Sequence, residues 1–126
     1  MTSDIPGATG PDPRPAHARA MGQAAALIAA VRPWQSTGPT PCAEFDVRTL
    51  LSHIVGGTRR NTVVDEGGDG CAVASFVDGV PDDGWAAAYE EVRVRALKAW
   101  ESDERRAAPG RCHGARFRVG PRSPAV

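Results

Sequence analysis

The sequence predicts an all-α protein, an incomplete up-and-down bundle of three helices, and three observations support this fold class. The 126 residues give room for a single domain. Three segments repeat apolar residues at three- and four-residue steps, which is the period of a helix with one buried face. Stretches rich in proline and glycine separate these segments and act as their connections.

Composition divides the chain into three parts. Residues 1–15 contain four prolines and two glycines, which predicts a disordered N-terminal arm. Residues 16–104 hold the helical segments and carry most of the charge, with 8 basic and 13 acidic side chains, so they form the predicted domain. Residues 105–126 carry six arginines and no acid and show no helical period, which predicts a disordered tail.

The first helix is predicted over residues 16–32. Its alanine content favours a helix, and Pro33 ends it because the residue before a proline avoids the α conformation. One face is apolar and consists of Met21, Ala24, Ile28 and Val31. In the connector over residues 33–45, Trp34 and Phe45 are predicted to be apolar anchors on the core.

The second helix is predicted over residues 46–64. Asp46 is the expected N-cap, because its carboxylate can accept hydrogen bonds from the free N–H groups of the first turn. The buried stripe is expected to consist of Val47, Leu50, Leu51 and Ile54. Gly56 and Gly57 interrupt the pattern, so they either end the helix early or allow a neighbouring helix or a ligand to approach closely.

The third helix is predicted over residues 84–104, with Asp83 as its cap. Its apolar face consists of Trp85, Ala88, Tyr89, Val92, Ala96, Leu97 and Trp100. The preceding loop, residues 65–83, contains a short apolar stretch that fits either a turn or an extended piece. Three such helices leave one face that a fourth helix would normally cover, and no helix-compatible segment follows residue 104.

His53 is the candidate for chemistry on the second helix. On a helical wheel it lies roughly 120° from Val47, at the edge of the apolar stripe. One interpretation is a metal ligand or general base that faces a cleft, and the other is a boundary histidine hydrogen-bonded to a backbone carbonyl or to water. Cys42 is likewise either a reactive thiol near a helix N-terminus or a small buried residue.

A longer motif surrounds this histidine. Residues 39–57 read PTPCAEFDVRTLLSHIVGG. This string resembles the pattern P-T-P-C-x-x-[WF]-x-V-R-x-L-L-x-H-[LIV]-V-G-G of the metal-binding domain of mycothiol-dependent maleylpyruvate isomerase and its relatives, within the DinB-like superfamily of four-helix bundles. The Ala-Ala-Val-Arg-Pro sequence at the end of the first helix is also similar. The resemblance covers roughly residues 16–104.

The resemblance implies a fold, a metal and a thiol. The domain would provide three helices of a DinB-like four-helix bundle. A divalent metal, usually zinc, would be held by three side chains, of which His53 is one and the other two lie four residues apart on a later helix. Zinc with an open fourth position lowers the pKa of a bound water or thiol. A small-molecule thiol such as mycothiol would then add to a conjugated double bond, allow rotation, and leave.

The sequence departs from the family at the remaining ligands. No H-x3-H or E-x3-H motif follows His53, and the one later histidine is His113, beside Cys112. The metal site is therefore expected to be incomplete and zinc binding by this chain weak or absent, unless a homodimer brings two His53 residues together. The change in composition at about residue 105 predicts a truncated or frame-shifted product.

Two other functions stay open, a non-catalytic helical interaction module and a non-functional truncated product. The arginine-rich tail has few aromatic residues between its charges, so no specific nucleic-acid partner is expected. No apolar run reaches the roughly 18–20 residues of a membrane span, and no signal peptide is expected. The three cysteines are odd in number and form no CxxC pair, which favours the cytoplasm.

Overall fold

The computed structural model describes residues 11–101, and within them the chain is all-α apart from its connections. Helix α1 spans Arg14–Ala30, α2 spans Val47–Asp65 and α3 spans Trp85–Ala99. The predicted class, an all-α incomplete bundle of three helices, is confirmed. Most of the predicted arm and the whole predicted tail lie outside the described residues, so the three predicted parts of the chain stay predictions.

The helix termini follow local chemistry. Pro13 is the N-cap of α1, and a further proline lies in the first turn. A proline is favourable there because its fixed φ is close to the helical value and the first turn does not need its N–H. Asp46 caps α2 as predicted, with its Oδ1 accepting from the Thr49 N–H at 2.8 Å. The predicted cap of α3 is wrong, because Gly84 occupies the N-cap position and no side chain caps this end. The α3 helix also ends at Ala99, before the predicted limit.

The core lies between the three helices. Its buried residues are Met21 and Ile28 of α1, Leu51 and Val55 of α2, and Trp85, Tyr89, Val92 and Ala96 of α3. Helix α3 packs against both α1 and α2 and so forms the centre of the bundle. Burial of these side chains supplies the main favourable free energy of folding.

Trp34 is not an anchor of the core, contrary to the prediction. Its side chain is 80% exposed. The short 3-10 turn Pro33–Gln35 directs Ser36 inward instead. The Ser36 hydroxyl donates to the Pro33 carbonyl at 2.6 Å, and the Ser36 backbone carbonyl accepts from the Arg48 N–H at 2.9 Å. The connector is therefore fixed by backbone hydrogen bonds rather than by its tryptophan.

Helices α2 and α3 run in the same direction. Arg48 at the start of α2 forms an ion pair with Asp82 just before α3, with 2.7 Å between Nη2 and Oδ2. At the other end, the Trp100 Nε1 donates to Asp65 Oδ2 at 2.7 Å. Residues 66–84, here called the crossover segment, therefore return along α2. The bundle thus runs up, down and down. The predicted up-and-down order does not extend to α2 and α3, because it requires short loops that join neighbouring helices antiparallel.

Candidate functional site around His53

The crossover segment packs directly on the side of α2 that faces away from the core. The Ser52 hydroxyl donates to the Val77 carbonyl at 2.8 Å and accepts from the Val77 N–H at 3.0 Å. A Cβ atom on Gly56 would lie 2.7 Å from the Phe76 nitrogen and closer still to the Ser75 carbonyl. Gly56 is therefore the point of close approach that the glycine pair predicted, and the approaching element is a loop backbone.

His53 binds this segment through its ring. The Nδ1 atom lies 3.1 Å from the carbonyl oxygen of Ser75. A carbonyl oxygen only accepts hydrogen bonds, so we assign the proton of the neutral ring to Nδ1, which leaves a lone pair on Nε2. The side chain is exposed rather than enclosed between helices. The backbone hydrogen bond agrees with the second interpretation of His53, and the assigned tautomer leaves Nε2 able to bind a further group.

Two phenylalanines flank the imidazole. The ring centroid of Phe76 lies 4.8 Å from that of His53, and the centroid of Phe45 lies 5.9 Å from it. The two phenyl rings contact each other edge to face at 5.8 Å. These contacts, together with the hydrogen bond to Ser75, favour the observed orientation of the ring. Phe45 was predicted to anchor the connector on the core, but it packs against His53 and Phe76 and is not among the residues packed on the core.

Ser75, whose carbonyl His53 binds, also contacts a second polar side chain of α2. Arg60, two turns further along α2, donates from Nη1 to the Ser75 hydroxyl at 2.8 Å. His53, Gly56 and Arg60 thus fix one serine of the crossover segment by a ring nitrogen, a close backbone contact and a guanidinium. This arrangement resists displacement of the Ser75 carbonyl and so preserves the ring orientation.

The proline-rich lead-in to α2 is closed by a threonine. The Thr40 hydroxyl donates to the Phe45 carbonyl at 2.8 Å and accepts from the Cys42 N–H at 3.1 Å. Cys42 is a free and exposed cysteine, so the interpretation of it as a small buried residue is wrong. The loop bends outward at this position, which leaves the thiol accessible.

Charge near the N-terminus of α2 favours ionised carboxylates. Hydrogen bonds from the Thr49 backbone lower the pKa of Asp46 below its usual value. The hydrogen bond from Arg48 lowers the pKa of Asp82 in the same way. Both carboxylates are therefore committed to capping and ion pairing and are poor candidates for acid–base chemistry.

The described residues do not assemble a metal-ligand set around His53. Within residues 11–101, no three His, Cys, Asp or Glu side chains lie close enough together to hold a metal ion. His113 and Cys112, the later candidates in the sequence, lie outside the described residues. The assigned tautomer leaves a lone pair on His53 Nε2 that could serve as one ligand. The part of the chain that the structure describes supplies no further ligands beside it.

Three helices with a parallel α2–α3 pair, and an α2 histidine hydrogen-bonded to the crossover segment, define a small helix-bundle domain. The sequence model of the mycothiol maleylpyruvate isomerase N-terminal domain matches residues 17–123. The chain therefore belongs to this family, and the resemblance predicted from residues 39–57 is confirmed. Among residues 11–101, no helix is both long and apolar enough to cross a bilayer.

Curated relatives cover a shorter region. The uncharacterized proteins MT0763 and Rv0738, from two strains of Mycobacterium tuberculosis, are each 49% identical to the chain over 49 residues. The matched region is 39% of this chain and 27% of each relative, so the chain spans about a quarter of their length. No solved structure matches the chain.

Proposed function

We propose that the chain is a thiol-dependent isomerase-type domain in which His53 provides one ligand to a divalent metal, with zinc as the preferred ion. The hydrogen bond between His53 Nδ1 and the Ser75 carbonyl carries this proposal. Metal-binding histidines nearly always donate their other ring N–H to a carboxylate, a backbone carbonyl or a water. Membership of the mycothiol maleylpyruvate isomerase family supports a thiol reaction, with mycothiol as the proposed small-molecule thiol.

The proposed site is completed by groups outside residues 11–101. A catalytic zinc has three protein ligands and one open position. His53 accounts for one ligand, and the others would come from further polypeptide or from a second copy of the chain in a homodimer. A bound metal would lower the pKa of a thiol in its open position. With one described ligand we expect weak affinity.

The residues around His53 have a positioning role in this proposal. Phe45 and Phe76 restrict the ring, and Arg60 and Gly56 fix the segment that accepts its N–H. A ligand held in one orientation loses little conformational entropy when it binds metal, which raises affinity. The proposed compartment is the cytoplasm, whose reducing conditions keep small thiols in the reactive form.

Zinc titration by calorimetry tests the metal role of His53. The variant His53→Asn keeps an N–H donor at the position of Nδ1 and removes Nε2, so it separates binding from structure. We expect wild type to show saturable zinc heats and His53→Asn to bind at least about tenfold more weakly, as lost ligation requires. The melting temperature of this variant should lie within about 2 °C of wild type.

Two further variants complete the comparison. His53→Ala removes both ring nitrogens, so we expect it to lose zinc binding and about 1 kcal/mol of unfolding free energy. His17→Asn is the matched control, since His17 lies in α1 and stacks on Trp100; its zinc heats should equal those of wild type. Equal heats in wild type and His53→Asn, or no saturable heat in wild type at millimolar zinc, would overturn the metal role.

The thiol role has its own readout. Zinc-loaded wild type should bind mycothiol in a fluorescence or calorimetric titration, and His53→Asn treated identically should not. Binding of mycothiol that is the same in both proteins would remove His53 from the thiol site while leaving the zinc result unaffected.

A further inference from the structure

The inward stripe of α2 changes character along its length. Leu51, Val55, Thr58, Thr62 and Asp65 follow one another at steps of four, three, four and three, so they lie on one face of the helix. The first two are apolar and buried, as the inward face of a bundle helix normally is. The last three are polar, and Thr62 is 1% exposed. Polar residues on a core-facing stripe are informative, because burial of polar groups is costly.

A cleft lies beside this polar stripe, between α1, α2 and α3. Its volume is about 260 Å³, and it is here called the three-helix cleft. One wall carries Thr58, Asn61, Thr62 and Asp65 of α2, and the opposite walls include Met21 of α1 and Tyr89 of α3. At roughly 30 Å³ for each water, this volume equals that of about nine waters or one small organic molecule.

The polar wall presents hydrogen-bond acceptors. The Thr58 hydroxyl donates to the Ile54 carbonyl at 2.7 Å, and the Thr62 hydroxyl donates to the Thr58 carbonyl at 2.8 Å. Their protons are used within the helix, so their oxygens face other groups as acceptors. Asp65 receives one hydrogen bond, from the neutral indole of Trp100. Apart from the Asn61 amide, which can also donate, this wall accepts hydrogen bonds, so it favours a ligand rich in donors.

The charge of the cleft is also unbalanced. None of the Lys or Arg side chains within residues 11–101 lines it. Among the ion pairs of residues 11–101, none includes Asp65. His17, also in the wall, stacks on Trp100 with 3.8 Å between ring centroids, and its buried Nδ1 has no hydrogen-bond partner among the described residues. A carboxylate that has no cation beside it among the described residues favours a positively charged donor at this position, and the Nδ1 of His17 would accept from that donor when the ring proton is on Nε2.

We propose that the three-helix cleft binds a small organic ammonium ion. Its N–H groups would donate to the Asp65 carboxylate and to the threonine hydroxyl oxygens, and its carbon chain would lie against Met21 and the ring of Tyr89. This site is separate from His53, because Thr58 and His53 project from α2 about 140° apart.

Trp100 is a direct reporter of this binding. Its indole N–H donates to Asp65, so an ammonium ion at the carboxylate changes the chemical shift of that proton in a ¹H–¹⁵N spectrum. We expect butylammonium chloride to shift the indole signal saturably in the millimolar range. Sodium butyrate and 1-butanol, which have the same carbon chain, should bind at least tenfold more weakly. Equal saturable shifts with 1-butanol would overturn the proposal.

Charge removal separates this site from general electrostatic attraction. Asp65→Asn keeps an acceptor for Trp100 and removes the charge, so we expect at least a tenfold loss of butylammonium affinity. Thr58→Val removes one acceptor with little change in shape and should weaken binding a few-fold. Asp78→Asn is the matched control, since Asp78 lies exposed in the crossover segment. An equal loss in Asp78→Asn, or unchanged affinity in Asp65→Asn, would overturn the site, whatever the zinc result for His53.

Discussion

The two halves of α2 use the same helix for different purposes. In the first half, Leu51 and Val55 are each 4% exposed and pack in the core, while the opposite side receives the crossover segment. In the second half, Thr58 and Thr62 replace the apolar residues on the same stripe, and a cleft forms beside them. The first half therefore stabilises the bundle and orients His53, and the second half places polar side chains beside the cleft. This difference shows that one face of a helix can change from apolar core to polar cleft wall within two turns.

The largest expected contrast is between Leu51 and Thr62. Leu51→Ala removes a buried side chain from a packed environment and should lower the unfolding free energy by about 2–5 kcal/mol. Thr62→Ala removes one methyl and one hydroxyl beside a cleft and should cost only about 1 kcal/mol. Urea unfolding followed by circular dichroism measures both. Equal losses would show that the second half of α2 is packed as tightly as the first.

The glycine pair offers a matched comparison within the first half. Gly56→Ala places a methyl against the Ser75 carbonyl, so the crossover segment must shift and the unfolding free energy should fall by about 1–3 kcal/mol. Nothing lies within 4 Å of a Cβ on Gly57, so Gly57→Ala should stabilise the helix by about 0.5–1 kcal/mol. Thermal melting checks the opposite signs. A stabilising Gly56→Ala would mean that the segment does not pack on α2 in solution.

The smallest expected effect is the dependence of stability on acid. The pKa of Asp46 is lowered in the folded protein by hydrogen bonds from Thr49. Its contribution is therefore complete above the pKa of the unfolded chain, about 3.9, and is lost as the pH falls through the lower folded value. Asp46→Asn keeps the cap without the charge, so its stability should fall less between pH 5 and pH 2, roughly the range over which such a carboxylate titrates. Parallel acid unfolding curves for the two proteins would contradict this role.

Local chemistry was predictable from the sequence, and contacts between distant segments were not. The capping by Asp46 and the close approach at Gly56 follow from neighbouring residues, and both are observed. Phe76 and Ser75 reach His53 only because the crossover segment returns along α2, and no periodic pattern in that loop indicates its path. A pattern of apolar spacing also gives no direction to a helix, so the parallel arrangement of α2 and α3 was not foreseen.

Three individual side chains illustrate the same limit. Trp34 is apolar enough for the core, but a single 3-10 turn directs it to solvent. Asp83 has the chemistry of a cap, but the helix begins one residue later, after Gly84. The neighbours of His17 in the sequence do not indicate its stacking partner, because Trp100 is far from it along the chain.

The return of the crossover segment along α2 also governs how the chain reaches its native state. Antiparallel helices joined by a short turn can pair early, since little loop-closure entropy is lost. Here α2 and α3 meet only after residues 66–84 have returned along α2. The start of α1 contacts the end of α3, although the two are separated by most of the domain's sequence. Contacts between residues so far apart in the sequence lower the folding rate. The domain should therefore refold more slowly than a helical hairpin bundle of equal size.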